Sequence, residues 1–248
     1  MSAALIIGAG PGLGLSLVRR FAADRPTAFV ARRREAVAGY EATLRAEGLE
    51  AIGIVGDAAD PESLRHALAA ARAVDGDPDV LIYNAAIIEP SRFVTPSGIA
   101  EARYADAPGW TARGAPIDVE TFVAGFRANV AGALQAAQAV APAMIARGRG
   151  TILLTGGVLA FGPWLEWGAV SLGKAALRSL GQSLHLELAP LGVQVAVVAI
   201  HGTMAPGTPY DPALVADLYA SLPGRDPRDW AVDVHFRADE ADGKDPDR

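Results

Sequence analysis

The chain has 248 residues, 51% of them hydrophobic and 20% charged, with a formal net charge of −6 and no cysteine. That composition fits a folded chain able to bury a full core within a single domain. The lack of cysteine excludes a disulfide scaffold, a thiolate zinc site and a cysteine nucleophile. The acidic balance argues against nucleic acid and against anionic membranes as partners.

No apolar run reaches the roughly 18 residues a membrane helix needs. The start, "MSAALIIGAG", lacks the basic n-region of a secretory signal, so the expected location is cytoplasmic.

The first element is the apolar run "ALIIG" at 4–8, a strand type buried on both faces of a parallel sheet. "GAGPGLG" follows it directly and opens a helix. Gly8, Gly12 and Gly14 allow a tight turn and a close backbone approach to a pyrophosphate, which the helix N-terminus attracts. Pro11 and Leu13 complete that contact surface. The alternative is a plain tight turn.

A second strand, "TAFVA" at 27–31, runs into Arg32, Arg33 and Arg34. A chain that binds NAD would place a carboxylate at this corner for the ribose 2′-OH. Guanidinium groups grip a 2′-phosphate instead, so NADP(H) is expected in preference to NAD(H). The alternative is a solvated basic turn.

A helix at 35–47, a strand "AIGIV" at 51–55 and a helix at 61–74 follow, with Pro61 suited to a first turn. Asp57, after the third strand, is placed to accept from an adenine amine, with Ala58 beside it; the alternative is a turn or cap residue. "DVLIYN" at 79–84 is the fourth strand and ends at Asn84. The long connection 89–116 predicts a functional or mobile loop.

A long helix is predicted over 119–147 from Phe122, Phe126, Val130 and Leu134. "TILLT" (151–155), a helix at 169–189 with Leu177, Leu180, Leu184 and Leu188, and "VQVAVVAI" (193–200) continue the alternation. The 202–225 segment carries Tyr210 and Tyr219 and could form a lid or a partner surface. "VDVHF" at 232–236 is a candidate edge strand, and the charged stretch 238–248 predicts a disordered tail. The reading is therefore a Rossmann-type doubly wound α/β domain over 1–237.

With these residues placed, the chain resembles the short-chain dehydrogenase/reductase family over about residues 4–205. "GAGPGLG" matches the family's glycine motif, and Asp57 matches its adenine-contacting acid. "YNAA", at 83–86, is similar to the family's "NNAG" strand end. Asn129 in "RANVAG" resembles the helix Asn that anchors a water relay, and Lys174 matches the active-site lysine. "HGT", at 201–203, occupies the "PGxxxT" region, with His201 replacing proline and Thr203 on the cofactor side. The resemblance implies a nicotinamide-dependent oxidoreductase acting on a small-molecule substrate, with the helices 119–147 and 169–189 pairing subunits into a homodimer or homotetramer.

The resemblance also implies a Ser–Tyr–Lys set, and here the sequence departs from it. Four residues before Lys174 stands Val170, and thirteen before that stands Gly157. Ala169, Ser171 and Gly156 are their neighbours, so a shift by one residue does not restore the pattern. Other candidate proton donors are Glu166, between Trp164 and Trp167, and His201, at a strand end where open sheets bind ligands. Tyr210 reads as a lid contact and Ser171 as a first-turn residue. The expected function is hydride transfer to a small C=O, C=N or activated C=C acceptor with a non-standard proton donor. A catalytically silent dinucleotide sensor or oligomer subunit is the alternative. No metal site is expected.

Overall fold

A computed structural model describes residues 3–97 and 114–238. Seven strands form one parallel sheet in the order β3-β2-β1-β4-β5-β6-β7. They are β1 Ala4–Ile7, β2 Thr27–Ala31, β3 Ile52–Val55, β4 Val80–Tyr83, β5 Gly150–Thr155, β6 Val193–Ile200 and β7 Asp233–Phe236. The central strands are apolar without alternation because both of their faces are covered.

The helices are α1 Leu13–Ala22, α2 Arg34–Ala46, α3 Pro61–Asp75, α4 Val119–Phe126, α5 Gly132–Arg147, α6 Gly168–Leu188 and α7 Pro212–Ala220. Helices α3, α5 and α6 pack with Ile7, Tyr83, Leu154 and Val197 on one face of the sheet. Helices α1, α2 and α7 pack with Ile6, Phe29, Ile82 and Val198 on the other. Helix starts follow the capping rules. Asp60 and Asp211 accept from backbone N–H groups of the first turn, each followed by a proline.

The sheet reverses its strand order between β1 and β4, which pair in register from Ala4↔Val80 to Ile7↔Tyr83. The crevice at such a switch point, at the carboxyl ends of the strands, is where doubly wound sheets take ligands. The glycine turn stands there. Gly8 adopts φ +94° and lies so close to β4 that a Cβ on it would come within 2.4 Å of the Ala85 backbone nitrogen.

Two features differ from the sequence expectation. The helix predicted over 119–147 is interrupted by a π-helical turn, Arg127–Ala131, between α4 and α5. The 202–225 segment contains α7, which packs on α1, so Tyr219 is fully buried and is no part of a lid. The expected loop lies within the described residues only over 89–97 and 114–116, and of the expected tail only Ala238 does. Among the described residues no helix is long and apolar enough to cross a membrane.

The turn yields a paired test. Gly8→Ala should destabilise the chain by about 2–4 kcal/mol, because the left-handed backbone and the contact with Ala85 act together. Gly10→Ala, where a Cβ meets nothing within 4 Å, should change stability by less than about 1 kcal/mol. Urea unfolding of both variants checks this; equal losses would contradict it.

Candidate functional site

The glycine turn is held from two sides. The N–H groups of Gly8 and Ala9 donate to the carbonyl of Val30 at 3.0 and 2.9 Å. Asn84 donates from its own backbone to Ile7 at 2.8 Å and from its side-chain amide to Gly8 at 2.9 Å. Gly14 lets α1 sit against the turn, since a Cβ there would reach the Gly8 carbonyl oxygen at 2.6 Å. Gly10 and Gly12 face open space, and no side chain caps α1 at Gly12. Pro11 is exposed, and Leu13 is buried beneath the turn. An uncapped helix start beside open glycines suits a phosphate group.

Arg32 and Arg33 follow β2, and both are exposed. Among the described residues no carboxylate pairs with either, although nine other arginines there form ion pairs within 3.5 Å. Asp57 is half-buried and forms a local turn, in which its Oδ1 accepts from the Ala59 N–H at 2.8 Å and its own N–H donates to Ser63 at 2.9 Å. Ala58 is buried under the start of α5, where only glycine fits at position 132. Thr203 is exposed in the segment after β6.

Lys174 lies nearly two turns into α6 and is 8% exposed. Its Nζ donates to the carbonyl of Thr155, at the end of β5, at 2.6 Å. Burial lowers its pKa to about 8. Behind the same strand end, the buried Tyr219 hydroxyl donates to Thr155 Oγ1 at 2.8 Å, and desolvation pushes that phenol well above its usual range.

Asn129 sits in the π-helical turn. Its Oδ1 accepts from the Ile87 N–H at 2.7 Å, and its amide donates to the Ile87 carbonyl at 3.2 Å. Gly173, next to Lys174, allows this packing, since a Cβ there would lie 3.1 Å from the Asn129 amide. Tyr83 stabilises the wider turn by donating to the carbonyl of Ala128. Thus Asn129 fixes the backbone after β4 while lying against the helix that carries Lys174.

Val170 is buried one turn before Lys174. Gly157 has extended backbone, and a Cβ there would meet only the Ile200 carbonyl oxygen, at 3.9 Å. Ser171 is buried and accepts from the Trp164 N–H at 3.4 Å.

Two sequence candidates are engaged elsewhere. Glu166 is 1% exposed, ion-paired with Arg92 and bonded by Ser97. It ties the loop after β4 to the loop before α6. His201 shares a hydrogen bond of 2.7 Å with His235 on β7, and Phe161 packs against both rings. Arg178 lies over Phe161 and forms a two-pronged ion pair with Asp233. Tyr210 lies against Gly202 and the ring of Phe236.

Ser91 has a role that no sequence signal announced. It is buried, its carbonyl accepts from the Gly168 N–H at 3.0 Å, and its Oγ accepts from the Ala169 N–H at 3.1 Å. The first turn of α6 is therefore capped from a loop 78 residues away. His235 and Thr155 were likewise missed, because each matters only through a long-range partner.

A family model described as "short chain dehydrogenase" matches residues 2–210. Dehydrogenase/reductase SDR family member 4 of Sus scrofa is 30% identical over 197 residues, 79% of this chain and 63% of that protein. The match therefore spans less than two thirds of that relative's length. A gluconate 5-dehydrogenase from Burkholderia cenocepacia, solved with NADP and tartrate, is 29% identical, with a TM-score of 0.67 over 86% of this chain and 75% of that one. A metagenomic short-chain oxidoreductase solved with NADP is 23% identical and shares the fold, with a TM-score of 0.78 over 95% of this chain and 96% of that one. The glycine turn at the switch point, the buried lysine beyond it and the match across most of the sequence have one common reading: this chain belongs to the short-chain dehydrogenase family.

Proposed function

We propose that this protein is an NADPH-dependent reductase that transfers hydride to a small C=O, C=N or activated C=C acceptor without the phenol and serine of its family. The observation that carries the reading is the uncapped α1 start with open Gly10 and Gly12, next to the exposed guanidinium groups of Arg32 and Arg33, which pair with no carboxylate among the described residues. Together they offer one site for a pyrophosphate and another for a 2′-phosphate. The NADP found in the gluconate 5-dehydrogenase supports the choice of cofactor. When bound, the dinucleotide would supply the hydride.

In this reading Gly8, Pro11, Gly12, Leu13 and Gly14 line the pyrophosphate and Arg32 and Arg33 take the 2′-phosphate. Asp57 and Ala58 border the adenine, Asn84 and Thr203 flank the nicotinamide half, and Lys174 holds its ribose. Asn129 positions the backbone beside Lys174. Glu166 and His201 are left as holders of the surrounding loops, given their partners. The domain spans 1–237 and acts in the cytoplasm.

A second reading is a dinucleotide sensor or a silent subunit, favoured by Val170 and Gly157 standing where the family keeps hydroxyl groups. The discriminating observation is turnover. A panel of ketones, cyclic imines and activated enones should draw NADPH oxidation from the reductase and none from a sensor that still binds NADPH.

Three outcomes follow. Arg32→Ala with Arg33→Ala should weaken NADPH binding at least tenfold and NADH binding by less than about threefold, read by calorimetry; equal losses would refute the 2′-phosphate role. Val170→Tyr with Gly157→Ser should raise kcat on simple ketones by at least tenfold, because Gly157 has room for a hydroxymethyl group and a donor would regain its place. The exposed Val119, Leu134, Leu172 and Leu186 on α4, α5 and α6 support a homodimer or homotetramer, which light scattering should find at micromolar concentration; a monomer would oppose it.

A further inference from the structure

We propose that Lys174 is itself the proton donor of this site, acting on the substrate heteroatom directly or through one water, an inference that rests on the reductase reading above.

Among the described residues, the side chains at this end of the sheet leave few other sources of a proton. Val170 and Gly157 carry none. The Glu166 carboxylate is occupied by Arg92 and Ser97. Both ends of the Asn129 amide are used by Ile87. The Tyr83 hydroxyl is spent on Ala128, and the Tyr219 hydroxyl on Thr155 from the far side of the strand. Both phenols are fully buried, and desolvation pushes each well above its usual range. Ser171 accepts a backbone N–H from Trp164, and its own hydroxyl is an aliphatic alcohol, a far weaker acid than an ammonium or a phenol. The His201 ring is turned to His235 on the edge strand, where Asp233 and Arg178 are already paired with each other.

Lys174 differs from all of these. Its ammonium spends one N–H on Thr155 and keeps two, enough for a ribose hydroxyl and a substrate atom. Among the described residues it is the only buried cationic side chain. The residue type also matters. Of the 22 lysines and arginines in the chain, lysine occurs only at positions 174 and 244. A guanidinium could hold a ribose as well, but it does not give up a proton at any working pH. An amine does, and burial alone, with no charged neighbour contributing, brings this one to about 8. That value suits a general acid near neutrality.

The step balances without another reagent. As hydride, with its two electrons, reaches the acceptor carbon, the π pair of the C=O moves onto oxygen. That oxygen takes H⁺ from the Lys174 ammonium, and the neutral amine left behind regains H⁺ from solvent. Each turnover consumes one reduced nicotinamide and one proton.

The full-length chain, labelled with ¹³Cε-lysine, should give only two lysine signals, assigned with Lys174→Arg. The Lys174 signal should titrate near 8. For the best ketone of the panel, kcat/KM should be level below pH 8 and then fall tenfold per unit with the same midpoint. A cyclic iminium substrate, already cationic at nitrogen, should show no such fall. Lys174→Arg should lower kcat on the ketone at least 100-fold while changing the NADPH Kd by less than about tenfold. A Lys174 midpoint near 10, a rate decline whose midpoint departs from that of the Lys174 signal, or a Lys174→Arg enzyme with undiminished ketone turnover would each overturn the proposal. Failure of the reductase reading looks different: NADPH would not bind, or no member of the panel would be reduced.

Discussion

The close approach of the Gly8 turn to the end of β4 is the constraint on which the rest of the site depends. Two parallel strands that diverge in connectivity must lie side by side, and the turn leaving the first must clear the backbone leaving the second. A Cβ at position 8 would stand 2.4 Å from the Ala85 nitrogen, so glycine there is a steric requirement. Asn84 then binds the turn through Gly8 and Ile7. That arrangement aims the start of α1 across the crevice and brings the corner after β2, with its arginines, to the same rim.

The other half of the site is assembled from the far side of the switch point by long-range contacts. Lys174 is anchored on β5 through Thr155, and Asn129 is wedged against Gly173 by the π-helical turn. Ser91 caps α6, and the Glu166–Arg92 pair joins the two loops that flank it. Burying a carboxylate and a guanidinium costs desolvation energy, which their direct contact and the Ser97 hydroxyl offset. The two loops are thereby pinned to each other. Burial of Lys174 in a low-dielectric environment lowers its proton affinity.

The fold was legible in the sequence because buried parallel strands read as short apolar runs and the helices as four-residue stripes. The strand expected at 151–155 and the one found at Gly150–Thr155 differ by one residue. The π-helical turn at Asn129 was not legible, since it keeps nearly the helical period of Phe122, Phe126, Val130 and Leu134. Helix α7 was hidden by Pro206, Pro209 and Pro212, which read as a loop although the last of them starts a helix. Glu166 between its two tryptophans could equally be read as a solvated loop residue, and the structure buries it instead. Its partners Arg92 and Ser97 lie some 70 residues away, a separation no local pattern reveals. His201 likewise looked alone until β7 brought His235 beside it.

A crystal structure of the full chain with NADPH tests the central claim most directly. The account expects the pyrophosphate against Gly10 and Gly12 at the start of α1, the 2′-phosphate between Arg32 and Arg33, and the nicotinamide ribose on the Lys174 amine. An empty crevice, or a nucleotide lying away from the glycine turn, would contradict it.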